Sequence, residues 1–258
     1  MNMSVAEIES HLKTLRLHGM NATLQTRLTQ ANQGECFMEV FSCLLQDELD
    51  WRKSCLIETR FKASGLKERP TLTEFDWGFN PKLPKKDIYE LVSGKFIRNG
   101  HDALLIGSPG TGKSHVVKTV AHAAIETGYK VIYREAHSFF ENLFEATQLK
   151  RRKKMNKLFS EVDLLVIDDL FLRKKVPEEA ADDLLDIILN RYSSRKSTAI
   201  TSNRPLEDWG KLLRDNAASS AILDRLLHRG LLLKFEGKSY RLKEASARLM
   251  KNNRKSSG

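Results

Sequence analysis

A glycine-rich octet follows a short apolar run near the middle of the chain. The apolar residues Ala103 to Ile106 lead directly into Gly107-Ser108-Pro109-Gly110-Thr111-Gly112-Lys113-Ser114, and a helical pattern follows. Glycines at this spacing let successive backbone N–H groups turn inward around phosphates, and the positive end of the helix strengthens their field. Lys113 can reach the β and γ phosphates, and the Ser114 hydroxyl is a ligand for Mg²⁺. The octet therefore predicts a site for ATP with Mg²⁺ rather than a chance glycine-rich turn.

Two adjacent carboxylates follow a second apolar run, Leu164 to Ile167. An acid at the end of a buried strand beside a phosphate loop can hold Mg²⁺ through its water shell, and the next acid can polarise the attacking water. We therefore assign Asp168 to the metal and Asp169 to the water. The alternative is a solvated strand end that happens to carry two acids.

An asparagine follows a third predicted strand, in Ser202-Asn203-Arg204-Pro205. An amide at the end of a strand beside the Asp168 strand can hydrogen-bond the γ-phosphate or the attacking water. An asparagine in this position can equally close a turn before Pro205. The residue pattern alone leaves both interpretations of Asn203 open.

These motifs lie in a region where short apolar runs alternate with helical patterns, which is typical of a parallel α/β sheet. The predicted strands are residues 103–106, 130–133, 164–167, 197–201 and 231–235, and the predicted helices are residues 113–127, 136–147, 178–192 and 219–228. Apolar residues at helical intervals over residues 5–28 and 37–61 predict a helical N-terminal part. Prolines and large apolar residues between 65 and 84 indicate an ordered linker.

The composition favours an acidic polymer as a partner. The 258 residues carry a formal net charge of +10, so nucleic acid is favoured, with an anionic membrane surface second. The longest apolar runs are far shorter than a membrane span, and the first residues lack a signal-peptide pattern, so we expect a cytoplasmic protein. Cys36, Cys43 and Cys55 lack C-x-x-C spacing, which predicts buried thiols rather than a zinc site or a disulfide.

A run of five cations lies between the second predicted strand and the Asp168 strand: Lys150, Arg151, Arg152, Lys153 and Lys154. Five adjacent cations repel one another unless phosphates screen them, so the run is either a solvated loop or a polyanion site. The net charge favours DNA. Arg173, Lys174 and Lys175 either extend the same track or form an exposed polar loop. Neither zinc-finger spacing nor interleaved aromatics is present, so we expect backbone contacts to duplex DNA with little sequence preference.

Taken in this order, the motifs resemble those of the AAA+ ATPases. More narrowly, the chain resembles the clade of DnaC-type helicase loaders and IstB-type helper ATPases of insertion sequences. The closer resemblance to the IstB type rests on Leu15-Arg16-Leu17-His18-Gly19-Met20, Leu72-Thr73-Glu74-Phe75-Asp76-Trp77, Leu164-Leu165-Val166-Ile167-Asp168-Asp169-Leu170 and Ala221-Ile222-Leu223-Asp224-Arg225-Leu226. It covers nearly the whole chain.

The resemblance implies a role for each motif. It makes Gly107 to Ser114 the Walker A loop, Asp168 and Asp169 the Walker B pair, Asn203 sensor 1, Arg225 an arginine finger for ATP on the neighbouring subunit, and Arg241 sensor 2. By residue chemistry alone, Arg225 is an ordinary helix-surface charge. Most AAA+ proteins have Glu where this chain has Asp169, which favours a slow ATPase. Little sequence follows Phe235 to form a C-terminal lid, which leaves the role of Arg241 open.

The implied fold is an α/β AAA+ P-loop parallel sheet flanked by helices, with a small N-terminal helical domain and little or no lid. The expected domains are residues 1–65, a linker over 66–84, the ATPase domain over 85–250 and a basic tail over 251–258. The implied function is an ATP-dependent transposition helper that assembles on duplex target DNA, as a ring or helical filament, and recruits or activates a transposase. DNA or the partner stimulates its ATPase. A replicative helicase loader and a DNA-independent nucleotide switch are the alternatives.

Overall fold

The computed structural model describes residues 3–34, 36–172 and 180–246. The chain forms two compact units, whose boundary falls between Arg60 and Phe61. Within the three described ranges, none of the helices combines the length and the hydropathy of a bilayer span.

The first unit is helical, as its sequence pattern predicts. It contains α1 (Val5–Thr14), α2 (His18–Asn32) and most of α3 (Phe37–Ser64). A short break between α1 and α2 interrupts the helix predicted for residues 5–28. The end of α3 passes the boundary into the second unit.

A close contact between α2 and α3 explains the glycine in the Leu15–Met20 segment. A Cβ atom on Gly19 would lie 2.5 Å from the carbonyl oxygen of Asp47 and 2.6 Å from the Glu48 Cα. The buried Glu48 carboxylate accepts hydrogen bonds from the backbone N–H groups of Gly19 (2.7 Å) and Met20 (3.2 Å), and from Arg52 Nε (2.7 Å). Glu48 therefore caps the first turn of α2, whose N–H groups have no partner within the helix.

The prediction of buried thiols is wrong. Cys36 and Cys55 are exposed and Cys43 is partly exposed. Among the residues of α3 that belong to the first unit, all of which are described, only Val40 and Glu48 are buried. The long helix is thus covered over a small part of its surface, and a helical position alone does not bury a cysteine.

The second unit contains a five-stranded parallel sheet, which confirms the predicted α/β class. Its strands are β1 (Asp102–Gly107), β2 (Val131–Glu135), β3 (Leu164–Leu170), β4 (Ser197–Ser202) and β5 (Gly230–Phe235), in the spatial order β2-β3-β4-β1-β5. Its helices are α4 (Lys85–Val92), α5 (Lys95–Arg98), α6 (Lys113–Glu126), α7 (Ala136–Gln148), α8 (Arg152–Glu161), α9 (Ala180–Ser193), α10 (Trp209–Leu213) and α11 (Asn216–His228). Residues 240–246 are also helical.

The order of the strands gathers the predicted motifs at one edge of the sheet. β3, β4 and β1 are neighbours, and each is buried along nearly its whole length because helices cover both faces of the sheet. Since parallel strands share a carboxyl edge, the residues that end β1, β3 and β4 meet there. Ligands of open α/β sheets bind at this edge.

The basic run is partly a loop and partly a helix: Lys150 and Arg151 precede α8, and the other three cations lie in its first turn. Lys150 has a left-handed backbone (φ 54°), and Arg152 begins α8. The far end of α8 is held by Arg191, a buried side chain of α9. Its guanidinium donates hydrogen bonds to the carbonyl oxygens of Phe159 (2.6 Å) and Val162 (3.0 Å). These bonds satisfy carbonyl groups that the end of a helix leaves without partners, so the position of α8 is fixed against α9.

Candidate nucleotide-binding site

The predicted Walker A loop connects the end of β1 to the start of α6. Gly107 (φ 153°), Gly110 (φ 76°) and Gly112 (φ 105°) have positive backbone φ angles that residues with a Cβ rarely adopt. A Cβ on Gly107 would also overlap the carbonyl oxygen of Phe235 on β5. Glycine is therefore required where β1 turns into the loop beside its neighbouring strand.

Lys113 projects into this loop. Its Nζ donates hydrogen bonds to the carbonyl oxygens of Gly107 (2.7 Å) and Ser108 (2.8 Å), and to Asn203 Oδ1 (2.6 Å). Burial lowers the pKa of Lys113 to about 8, although the nearby carboxylates oppose this shift. The ammonium is thus held mainly by neutral oxygens, which a phosphate group can replace with a stronger, charged partner.

Asp168 is buried, and three hydroxyl groups donate hydrogen bonds to its carboxylate. Ser114 Oγ lies 3.1 Å from Oδ1, Thr201 Oγ1 also donates to Oδ1, and the Tyr133 hydroxyl lies 2.6 Å from Oδ2. Among the described residues, no cluster of three His, Cys, Asp or Glu side chains is arranged to bind a metal. One carboxylate beside one hydroxyl fits Mg²⁺, which takes most of its ligands from water and phosphate.

A bulge turns Asp169 away from the strand ladder. The pairing of β3 with β4 shifts register between Ile167 and Leu170, and Asp169 has a left-handed backbone (φ 56°). Its backbone N–H donates to Thr201 Oγ1 at 2.8 Å. Burial, with the charge of Asp168 as a second cause, raises the pKa of Asp169. Strained backbone and re-aimed side chains of this kind occur at functional sites, where they place a group against a ligand.

The cleft beside the loop has a volume of about 160 Å³ and brings most of the predicted site residues together. It is lined by Pro109, Gly110, Gly112, Lys113, Ser114, His115, Asp169, Asn203, Tyr240 and Arg241.

The turn before Pro205 uses Ser202 Oγ, which accepts from the Arg204 backbone N–H at 3.1 Å. The Asn203 side chain instead faces Lys113 and Asp169.

A second, mostly apolar cleft of about 110 Å³ adjoins the first, and the sequence motifs do not predict it. Its lining includes Phe75, Phe79 and Leu83 from the predicted linker, together with His115 and Tyr240. The ring of Phe79 meets that of Tyr240 edge to face at 5.3 Å. The signal in the sequence was the unusual number of large apolar residues in the linker. An apolar slot beside a phosphate loop suits a planar base.

The comparisons with known proteins agree with this geometry. A family model described as IstB-like ATP binding protein matches residues 10–248. The chain belongs to this family. It is 32% identical to a protein of Pseudomonas aeruginosa that is named as an ATP-binding protein of insertion sequence IS21, over 92% of this chain and 89% of the relative. It is also 32% identical to a protein of Geobacillus stearothermophilus named for insertion sequence IS5376, over 81% and 82% of the two chains.

Solved structures of replication proteins share the fold of this IstB-like protein. AMPPCP-bound DnaA from Aquifex aeolicus is 26% identical, with a TM-score of 0.54 over 67% of this chain, which spans 51% of the DnaA chain. A DnaA bound to AMPPCP and single-stranded DNA is 25% identical, with a TM-score of 0.55 over 73% of this chain, which spans 57% of that DnaA. The DnaC helicase loader is 21% identical with a TM-score of 0.50, which shows the fold alone.

Arg225 lies apart from the two clefts of its own chain. It is on α11, where its Nη1 pairs with Asp224 (3.1 Å) and donates to the carbonyl oxygen of Ala221 (3.4 Å). It is absent from the lining of both clefts described above. Within one chain of this IstB-like protein, Arg225 therefore does not join Lys113, Asp169 and Asn203.

The basic run divides into four exposed cations and one paired cation. Lys150, Arg151, Lys153 and Lys154 are exposed. Arg152 is half-buried, and its guanidinium pairs with Asp183 on α9, with Nη2 at 2.5 Å and Nε at 2.8 Å. Arg152 therefore helps to attach α8 to α9. Arg173, Lys174 and Lys175 lie outside the described residues.

Proposed function

We propose that this IstB-like protein binds Mg²⁺-ATP in the cleft and hydrolyses it. The observation that carries the proposal lies at the carboxyl edge of the sheet. There Asn203 contacts both Lys113 and Asp169, and Asp168 accepts a hydrogen bond from Ser114 of the same loop. Mg²⁺, when bound with ATP, supplies positive charge at the phosphate oxygens. Ser114 and Asp168 would hold it, and the apolar slot would take the base.

The chain's own residues then have distinct roles. Lys113 leaves its carbonyl partners for the β and γ phosphates, and Asn203 follows the γ-phosphate or the water beside it. Asp169 orients and polarises the attacking water. Its raised pKa makes it a stronger base than an exposed aspartate. Because an aspartate reaches less far than a glutamate, we expect slow turnover without DNA or a partner.

We further propose that α8 contacts duplex DNA. Of the four exposed cations, Lys153 and Lys154 lie in the first turn of α8, and Lys150 and Arg151 lie directly before it. Arg152–Asp183 fixes this end of the helix, and Arg191 fixes the other. A rigid, positively charged helix end can contact backbone phosphates without reading bases. The two relatives described above are named for insertion sequences, which supports a helper that assembles on target DNA and engages a transposase. The alternative, a helicase loader, is supported by the fold alone.

Neutralising the exposed cations tests the DNA contact. The variant changes Lys150, Arg151, Lys153 and Lys154 to Gln and keeps Arg152, because removing Arg152 would leave Asp183 without this partner. We expect this variant to bind DNA more weakly than the wild type, by about the same factor for duplexes of unrelated sequence. The slope of the salt dependence should fall by about one for each phosphate that the protein no longer neutralises.

A matched variant removes four exposed lysines elsewhere: Lys53, Lys82, Lys86 and Lys95. If both variants change affinity and slope equally, only the net charge matters and α8 does not bind the DNA. Pull-down with an insertion-sequence transposase, and with a replicative helicase, separates the two partner classes.

A variant of Arg225 can test whether a neighbouring subunit completes the ATP site. We propose that the protein forms a ring or filament in which Arg225 reaches the ATP of the next subunit. Arg225→Ala keeps the loop but lacks the finger, and Lys113→Ala keeps the finger but cannot use ATP. Mixing the two variants should restore part of the DNA-stimulated ATPase. Some interfaces then combine an intact Lys113 from one subunit with an intact Arg225 from the next. An Arg225→Ala protein with normal turnover would contradict this role.

A further inference from the structure

Tyr133 contacts the active-site carboxylate, although no motif in the sequence marks it. It lies on β2 and pairs in register with Val166 of β3, two residues before Asp168. Alternate residues of a strand face the same side of a sheet, so Tyr133 and Asp168 share one face. The Tyr133 hydroxyl donates to Asp168 Oδ2 at 2.6 Å, and the side chain is only 6% exposed.

The two oxygens of Asp168 have different partners. Oδ1 accepts from Ser114 and Thr201, and Oδ2 accepts from Tyr133. Among the ion pairs of the described residues none includes Asp168, so the side-chain groups that contact its carboxylate directly are these hydroxyl donors. Ser114 is the residue expected to turn to the metal when Mg²⁺-ATP binds. Tyr133 and Thr201 would then be the remaining side chains that fix the orientation of the carboxylate.

We propose that Tyr133 is a positioning residue for the carboxylate that would hold the metal: its hydroxyl fixes the plane of Asp168 so that Oδ1 faces Ser114, the other side chain that would hold it. This inference rests on the proposed Mg²⁺-ATP site. Groups that hydrogen-bond a metal-holding residue orient it, and their loss commonly weakens metal affinity 10- to 100-fold. The competing explanation is a buried phenol that hydrogen-bonds the nearest acceptor and affects stability alone.

Tyr133→Phe removes one oxygen and keeps the ring. We measure equilibrium binding of a fluorescent ATP analogue as a function of Mg²⁺ concentration, together with unfolding of the nucleotide-free protein in denaturant. The expected result is a Mg²⁺ midpoint about 10-fold higher than in the wild type, while binding of the analogue without Mg²⁺ is unchanged. An unchanged midpoint, with or without a loss of stability, would overturn the proposal.

Two further variants test whether the shift in the Mg²⁺ midpoint is specific to the contact between Tyr133 and Asp168. Tyr192→Phe loses a hydroxyl that contacts His228 Nδ1 at 3.1 Å, away from the clefts, and its Mg²⁺ midpoint should match the wild type. In an Asp168→Asn background, Tyr133→Phe should cause no further shift, because its effect passes through the carboxylate; an additional shift of similar size would contradict the proposal. If Tyr133→Phe fails to fold, Tyr133→His retains a ring N–H donor, and a Mg²⁺ midpoint between those of the wild type and Asp168→Asn is expected.

The failure of the proposed function has a different signature. If the wild type shows no Mg²⁺-dependent nucleotide binding, the site assignment is wrong and this inference falls with it. If the wild type shows that dependence and Tyr133→Phe shares its midpoint, the nucleotide site stands and only the role of Tyr133 is wrong.

Discussion

Gly112→Ala is expected to weaken ATP binding by a predictable amount. Gly112 has a φ of 105°, a conformation that costs an L-residue about 1–2 kcal/mol. A Cβ atom there would lie 2.8 Å from Cε2 and 2.9 Å from Cζ of Phe75, although ordinary contact begins near 3.4 Å. The ring must therefore move, and overpacking of this kind costs about 1 kcal/mol or more. In the variant the empty loop can relax, but it must return to this conformation to bind ATP, so the cost falls on binding. The sum of about 2–3 kcal/mol then corresponds to ~30- to 150-fold weaker binding.

The assay is an equilibrium titration with a fluorescent ATP analogue and Mg²⁺. Gly34→Ala is the control, since Gly34 has a similar φ of 96° and an added Cβ there has no atom within 4 Å. It should leave ATP affinity unchanged. Adding Phe75→Leu to Gly112→Ala should recover the part of the affinity that the ring clash removes. An affinity of Gly112→Ala within twofold of the wild type would refute the idea that the loop binds ATP in this conformation.

Two further predictions concern stability. Glu48→Gln should lower the free energy of unfolding of the first unit by about 1–3 kcal/mol, because the N–H groups of Gly19 and Met20 lose a charged acceptor. Denaturant unfolding followed by circular dichroism measures this loss of stability. Burial raises the pKa of Asp102 to about 6, so the folded state binds more protons than the unfolded state between pH 4 and 6. The stability of the wild type relative to Asp102→Asn should therefore fall by up to about 3 kcal/mol as pH rises through that window, and a pH-independent difference would contradict the shift.

The parts of the fold that the sequence predicts are those with local patterns. Apolar runs 103–106 and 164–167 identified two central strands because helices bury both faces of the sheet, so neither strand needs an alternating pattern. The glycine loop and the two acids near the end of β3 were recognisable for a similar reason: the chemistry of phosphate and Mg²⁺ requires particular residues next to one another in the chain.

The parts that the sequence did not predict depend on contacts between distant residues. Tyr133 and Thr201 contact Asp168 across 35 and 33 residues of sequence, and nothing near either one indicates the contact. Helix α8 was missed because its first turn is cationic, which opposes the helix dipole, and few of its residues are apolar. The role of Arg191 as the anchor of α8 could not be predicted, because its partners on β4 and α8 lie close to α9 only in the folded chain.

ATP binding and ATP turnover, measured side by side on the wild type, Lys113→Ala and Asp169→Asn, test the proposed ATPase site most directly. We predict that Lys113→Ala loses Mg²⁺-ATP binding, because Lys113 is the cation within the loop that reaches the β and γ phosphates. Asp169→Asn should keep ATP bound while turnover falls by about 10²-fold or more, since Asp168 still holds the metal but the water loses its base. Lys113→Ala with wild-type affinity and turnover would contradict the assignment of this cleft as the ATPase site.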